Sequence, residues 1–526
     1  MYHARMNFDA FSSEITSLKQ QISQRDNVIS EHEKLIALLR EQITLLTQKR
    51  FGASSEKLDS PQISLFDEAE VFADDTVETV LAETDEAVDV PAHTRKKKRV
   101  SLPDTLPRVN VIHDLPDAEK FCAHDGSALT LIGEDVSEQL NYIPATLEVL
   151  RHRRLKYACP CCDLHIATAK KPPQPIEKSF ASPSLLAHII LSKYADALPL
   201  YRQATMFKRL GVELDVTTLA NWMIRCGELV EPLITLLHEQ AREQSCLHLD
   251  ETVVQVLHET GRRPEQESRM WVMATPVVSA QAIILFHYSE TRSASVMGEL
   301  LGDSNATLMT DGYGGYDCAA RELVNGQPRV HLGCWAHARR YFVDAQKVQP
   351  TGKQGKADQA LSLIQKLYRI EAETQGDPIA RFWRRSRESK AILDQLRQWL
   401  DLTLENPIKQ SQLGKALTYL HNQWPKLIRY IENGDWPIDN NRAENAIRPF
   451  VVGRKNWLFS TSPKGARASA NLYSLIETAK ACGLEPGLYL KEILTQLPQA
   501  KTLQDVEALL PWMVKTELEK NNKEGR

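Results

Sequence analysis

Three acids stand on segments suited to presenting them. The stretch Asp439-Asn440-Asn441-Arg442-Ala443-Glu444-Asn445-Ala446-Ile447-Arg448-Pro449, running into Gly453-Arg454-Lys455-Asn456, sets an acid among phosphate-binding side chains. A helix capped by Asp439 or Asn440 and ended by Pro449 projects Glu444, Asn440 and Arg448 from one face. On its own the segment reads first as a solvated Glu444–Arg448 pair, which costs almost nothing. Upstream, residues 246–256 read as a strand bearing Asp250, followed by strand-like 270–278 and 282–288 and a helix at 294–301. A short strand at 306–310 then ends at Asp311-Gly312-Tyr313-Gly314-Gly315. An acid at a strand end beside glycines is where α/β folds place ligands, although Asp before Gly also builds simple turns. Such carboxylates suit hard cations, Mg2+ or Mn2+, which keep water and substrate phosphates in their shells.

The order of acids resembles the RNase H-like, DDE-type polynucleotidyl transferases. That resemblance implies an RNase H-like α/β core in which three carboxylates hold two divalent cations for an in-line phosphoryl displacement. Asp250 and Asp311 lie 61 residues apart and Asp311 and Glu444 133, so the second gap needs an insertion. Residues 351–432 supply it, with helical runs at 360–373, 390–404 and 413–431. The motifs His248-Leu249-Asp250-Glu251-Thr252, Thr310-Asp311-Gly312-Tyr313, Gly333-Cys334-Trp335-Ala336-His337-Ala338-Arg339-Arg340, Asn440-Asn441-Arg442-Ala443-Glu444, Gly453-Arg454-Lys455-Asn456 and Tyr473-Ser474-Leu475-Ile476-Glu477-Thr478-Ala479-Lys480 are more specific. In this order, and over nearly the whole chain, they resemble the TnpC-type transposases of the Insertion Sequence Sixty-Six family. The resemblance implies a bacterial transposase with Asp250, Asp311 and Glu444 as catalytic acids and Mg2+ ligands. It also implies cleavage by water at the element's ends, attack of the released 3′-hydroxyl on target DNA, and small accessory proteins as partners. Three other readings stay open: a two-metal nuclease without joining activity, a catalytically silent DNA-binding regulator using residues 95–230, and a metal-free scaffold.

These acids need elements to bring DNA and a second copy of the chain to them. Ile15, Ile22, Ile29, Ile36 and Ile43 recur every seven residues, with Leu18, Arg25, His32, Leu39 and Leu46 at the matching positions. Ile at every a position with mainly Leu at d predicts a parallel two-stranded coiled coil. Arg25 and His32 weaken the middle of the seam and leave an intramolecular hairpin as the alternative. The net charge of −4 and pI of 6.5 look wrong for a DNA-binding chain, but residues 56–90 alone carry −11, so the rest carries +7. That acidic run reads as a linker, and Arg95-Lys96-Lys97-Lys98-Arg99 behind it either follows a phosphate backbone or is a solvated charge run. No secretion signal leads the chain and no apolar run reaches the roughly 18 residues of a membrane span. Nine cysteines, an odd number, argue for reduced thiols. The expectation is a cytoplasmic protein acting on nucleoid DNA, with no membrane partner.

A cysteine cluster follows. By the family's zinc-ribbon pattern, Cys122 with position 125 and Cys159 with Cys162 would hold one structural Zn2+, but position 125 is Asp. Asp125 can serve, His124 or Cys161 can substitute, or this copy has lost its metal. Arg151, Arg153, Arg154 and Lys156 form a basic strand-like stretch able to lie along DNA. Helices at 184–194, 201–210 and 216–226, the last two joined at Gly211, suggest a helix-turn-helix with Thr217, Thr218, Asn221 and Arg225 toward the groove. Leu219, Trp222 and Met223 would pack inward. Cys334-x-x-His337 has metal-like spacing but reads first as packing or DNA positioning, with His337 able to touch a scissile phosphate. Arg448, Arg454 and Lys455, together with Lys464 and Arg467, would bind phosphates. The expected organisation is multidomain α+β: coiled coil 8–50, linker 51–100, zinc-ribbon-like region 101–172 and helix-turn-helix-like region 173–240. The RNase H-like core would occupy 241–350 and 433–482 around a helical insertion at 351–432, with a helical tail at 483–526.

Overall fold

The computed structural model of the protein describes residues 2–51, 147–158, 166–277, 281–349, 355–404 and 410–515. Two compact units emerge, residues 1–52 with 154–526, and residues 53–153, and the elements below belong to the first. Cys122, Asp125, Cys159 and Cys162 lie outside the described residues.

An unbroken helix α1 (Tyr2–Phe51) carries the heptad repeat, so the hairpin alternative is not adopted within it. Its isoleucines face solvent, Ile22 at 59% and Ile29 at 55% exposure, leaving the apolar seam uncovered in a single chain. After it, β1 (Lys156–Ala158) and β2 (Ile166–Thr168) pair antiparallel. A group of helices follows: α2 (Pro183–Tyr194), started by a Ser182 side-chain cap and a proline in the first turn, then α3 (Leu200–Arg209), α4 (Val216–Leu229) and α5 (Glu231–Arg242). Gly211, at φ +84°, makes the turn between α3 and α4 in a conformation other residues avoid.

The central sheet has five strands, three joined antiparallel and two more added in parallel. Strands β3 (Cys246–Gln255), β4 (Glu267–Ala274) and β5 (Ile284–Ser289) form an antiparallel meander. On the other side of β3, the strand β6 (Thr307–Thr310) runs parallel, reached through α6 (Ser295–Leu301). Beyond β6, α7 (Gly315–Arg321) and a small hairpin of β7 (Leu323–Val324) and β8 (Gln327–Pro328) lead to β9 (His331–Gly333), parallel to β6. Cys246 to Leu249 are all buried, as a central strand covered on both faces demands.

Helix α8 (Trp335–Lys347) begins directly after Cys334 and buries Trp335, Ala338 and Phe342 in a second core. That core is completed by α9 (Lys356–Glu373), α11 (Lys390–Leu404) and α12 (Gln412–Leu427), with α10 (Pro378–Arg384) and a π-helical turn joining α9 to α11. The chain then returns to the sheet as α13 (Asn441–Trp457) and α14 (Pro463–Ala481), and α15 (Pro486–Gln496) follows. Helix α14 covers the edge strand β5: Ser474 Oγ accepts the Phe286 N–H at 2.7 Å, and Thr478 Oγ1 accepts the Ile284 N–H at 3.0 Å. A sheet edge left with free backbone groups would recruit other strands, and these hydroxyls satisfy it. Gly227 lets α4 approach α14 closely, since a Cβ there would sit 2.6 Å from Ala468.

Two expectations at α13 need correction. Pro449 does not end the helix, which continues to Trp457. Proline forfeits one backbone bond, but buried Ala446 and Ile447 before it and Phe450 and Gly453 after it hold both halves against the sheet. The cap expected of Asn440 is absent, because its Oδ1 meets His248 Nδ1, while Asp439 Oδ1 accepts the N–H of Asn441, the first residue of the helix, at 3.1 Å.

Candidate active site

The pairing of β3 with β6 sets the first part of the site. Cys246 opposes Thr307, Leu247 opposes Leu308 and His248 opposes Met309, a constant offset of 61. Asp250 and Asp311 share this offset, two residues beyond the last paired positions, and the charge of Asp311 acts on Asp250. Each is fixed by one oxygen: Asp250 Oδ1 accepts the Glu251 N–H and Asp311 Oδ1 accepts the Tyr313 N–H, both at 2.9 Å. Asp311 therefore builds its turn and presents its second oxygen as well.

Helix α13 brings the third acid. Asn440, fully buried, donates from Nδ2 to the Leu249 carbonyl at 2.8 Å and meets His248 Nδ1 through its Oδ1 at 3.0 Å. Its backbone N–H donates to Cys334 Sγ at 3.2 Å. One side chain thus bolts the start of the Glu444 helix to the strand of Asp250. Burial raises the Asp250 carboxyl to about 8, opposed by the Glu251 N–H and reinforced by the charges of Glu251, Asp311 and Glu444. All three acids of the sequence reading contribute to one electrostatic neighbourhood.

Glu444 does not pair with Arg448, which is exposed. Its carboxylate receives Arg340 Nη2 at 2.8 Å and lies 3.3 Å from His337 Nδ1, both from α8. Among the described residues, the trio of metal-type side chains whose ligand atoms all fall within 4.8 Å of one another is Cys334, His337 and Glu444. Glu444 thus turns toward α8, where the Arg340 guanidinium attracts its carboxylate. Burial pushes the Cys334 thiol up to about 12.

Neighbouring acids are already neutralised. Glu251 accepts Arg292 Nε at 2.7 Å and the Tyr316 hydroxyl, while the Arg292 guanidinium lies 3.3 Å from the centre of the Tyr313 ring. Asp317 meets Lys426 Nζ at 2.5 Å and His331 Nδ1 at 3.1 Å. His331 Nε2 reaches the Thr310 hydroxyl at 2.8 Å, and that hydroxyl donates to the Asp311 carbonyl. Burial depresses His331 to about 4, keeping it neutral behind Asp311. Glu251 and Asp317 are occupied by partners; Asp250 feels the charges of Asp311 and of Glu444, the last of which is itself paired with Arg340. The oxygen donors and surplus negative charge of Asp250, Asp311 and Glu444 fit divalent cations such as Mg2+.

The other candidate residues are dispersed. Thr217, Asn221 and Arg225 lie exposed along α4, Arg225 in an ion pair with Glu228, and Thr218 is half-buried; Leu219, Trp222 and Met223 are buried. Arg151 and Arg153 are exposed, Arg154 is exposed and donates to the Ala169 carbonyl at 2.6 Å, and Lys156 opens β1. Lys455 is exposed; Arg454 instead turns inward, donating to Thr252 Oγ1 at 3.1 Å and to the Val253 carbonyl, so it fastens α13 to β3. His337 points at Glu444. Sequence reasoning missed Arg340, Asn440 and Arg292 as site residues; the first two stood inside the quoted motifs, and Arg292 carried no signal.

Comparison with known proteins meets this geometry. Residues 178–468 match the model described as "Transposase IS66 family", and 119–163 the "zinc-finger binding domain of transposase IS66". A leucine-zipper model described as "Transposase C of IS166 homeodomain" matches 38–111, and the "IS66 C-terminal element" matches 474–512. The uncharacterized protein y4jD of Sinorhizobium fredii is 32% identical over 92% of this chain and 96% of its own length. The uncharacterized protein y4qI of the same organism is 31% identical over 91% of this chain and 89% of its own length. With the DDE transposase model spanning more than half of the sequence and zinc-finger and leucine-zipper modules ahead of it, this chain belongs to the IS66 family of transposases.

Proposed function

We propose that the protein is a DNA transposase of RNase H-like fold that cuts the ends of its element and joins them to target DNA, with Asp250, Asp311 and Glu444 as its catalytic acids. The sheet order, three antiparallel strands continued by two parallel ones, supports that fold. The observation that carries the assignment is the Asn440 bond to the Leu249 carbonyl, which ties the helix of Glu444 to the strand of Asp250, itself in register with the strand before Asp311. When bound, a pair of Mg2+ or Mn2+ ions supplies an activated attacking oxygen and stabilises the leaving one. Asp250 holds a fixed oxygen midway along β3 and Asp311 one just past the end of β6, and Glu444 is carried on α13, positioned by Asn440. Water first breaks the bond between phosphorus and the 3′-oxygen at the element end; the freed 3′-hydroxyl then displaces a 3′-oxygen in the target. The same carboxylates serve both steps, without a covalent intermediate or ATP.

The surrounding modules fit this role. The exposed row Thr217, Asn221 and Arg225, with Arg448 and Lys455, offers polar and cationic contacts to DNA. Cys122, Asp125, Cys159 and Cys162 would hold one Zn2+ in the zinc-finger segment. The uncovered Ile seam of α1 pairs with a second copy, bringing two element ends together, and accessory proteins of the same element join the complex. The test uses a pre-cleaved end carrying a 3′-hydroxyl. Wild type should join it to target DNA with Mg2+, which a simple nuclease cannot do, while Asp250→Asn should bind DNA yet neither cleave nor join. Full activity in Asp250→Asn would defeat the assignment.

A further inference from the structure

We infer that Cys334, His337 and Glu444 form a binding site for a borderline-soft divalent cation, Zn2+ in the first instance, separate from the Mg2+ set in its ligands and sharing only Glu444 with it. The sulfur, the imidazole nitrogen and a carboxylate oxygen lie within 4.8 Å of one another, a spread one ion can draw together. Cys and His lie at i and i+3 where β9 passes into α8, and the third ligand comes from the first turn of α13. Two of the three ligand atoms, His337 Nδ1 and Glu444 Oε1, are buried and face each other 3.3 Å apart without a hydrogen bond to either. Buried polar atoms left in this state are costly, and a cation between them would satisfy both at once. The sulfur is also prepared: the Asn440 backbone N–H points at it from 3.2 Å, an N–H···S bond of the kind that supports a metal-bound thiolate.

The donor set decides the metal. One sulfur, one nitrogen and one carboxylate oxygen are the ligands of Zn2+, whereas Mg2+ and Ca2+ take oxygen alone. With three protein ligands and partial exposure at His337 and Glu444, 21% and 15% of their side chains, a fourth position stays open to water. On binding, Cys334 gives up its proton and coordinates as thiolate, His337 binds as the neutral ring, and one proton leaves for solvent. Resting on the transposase reading of Glu444, this site has a regulatory consequence: a Zn2+ ion there holds the third acid on the α8 side, away from Asp250 and Asp311.

The test is zinc stoichiometry of the full chain after dialysis against a low-affinity chelator. Cys334→Ser keeps the shape and polarity of the thiol, and His337→Gln provides a second route if the first variant proves unstable; unchanged thermal unfolding confirms that each is folded. Wild type should retain one more equivalent of zinc than either variant, whatever the zinc-finger segment holds. Asp250→Asn should retain the same amount as wild type. Equal stoichiometry in wild type, Cys334→Ser and His337→Gln overturns the site while leaving the cleavage reading intact. Zinc lost as expected alongside an Asp250→Asn variant that still cleaves keeps the site and sinks the catalytic assignment instead.

Discussion

Replacing Asp250 with Asn should stabilise the metal-free protein, by an amount that grows with pH, while destroying its activity. The folded carboxyl titrates near 8, against about 3.9 for an unfolded Asp. Between those values the folded chain holds a proton that the unfolded chain has released, so wild-type stability falls as pH rises. Below about pH 4 both states are protonated and above about pH 8 both are ionised, so the slope is confined to that window. At about 1.4 kcal/mol per pH unit, the full penalty is on the order of 4 kcal/mol at pH 7. Because Asp250 is only partly buried, about half of this, roughly 2 kcal/mol, is the value to expect. Asn keeps the shape and cannot ionise. Urea unfolding in EDTA should therefore show the variant about equal to wild type at pH 4.5 and more stable by about 2 kcal/mol at pH 7. Mn2+ should then reverse the order, since an ion at a hundred times its Kd adds about 2.7 kcal/mol to wild type alone. A stability difference that does not change between pH 4.5 and 8 would refute the placement of Asp250 in a crowded anionic site.

Two further outcomes follow from single contacts. Asn440→Ala removes the amide that joins α13 to Leu249 and His248, leaving buried polar groups unpaired; unfolding should report a loss of about 2 to 3 kcal/mol, and cleavage should fall more than DNA binding does. Ile22→Asp with Ile29→Asp should convert the full chain from dimer to monomer in sedimentation while the core around the sheet still unfolds cooperatively, because both side chains face solvent in one copy.

Much of this site was legible because two of its acids obey strand periodicity. The alternation around Asp250 and the strand ending at Asp311 could be read directly, and the equal offsets of 61 tie their spacing to the sheet register. The late helix was found from its motif, but its end was misplaced at Pro449, since local propensity is overridden when both flanks are buried. The partners of Glu444 were hidden for a different reason. Arg340 and His337 lie more than a hundred residues upstream, and a local i+4 pairing with Arg448 is what sequence proximity favours. Arg454 likewise reads as a phosphate contact until the fold turns it onto Val253.

The long detour before Glu444 has a physical purpose in the arrangement of these contacts. Helices between β9 and α13 touch the mounts of two of the acids. Lys426 of α12 neutralises Asp317, whose partner His331 grips Thr310 beside Asp311. Tyr368 of α9 donates to Asp439 at 2.9 Å, and the buried Arg385 binds the carbonyls of Tyr430, Asn433 and Trp436, the loop that delivers α13. Trp335, at the head of the helix bearing His337 and Arg340, donates to the Leu427 carbonyl at 2.8 Å and packs among these same helices. A buried arginine left without its partners is expensive, so Arg385 and Glu371 make that loop conformation a condition of folding the helical segment at all. The position of Glu444 therefore depends on the helical segment as much as on the sheet: a change far from the acids that loosens Arg385 would reach Glu444 through α13.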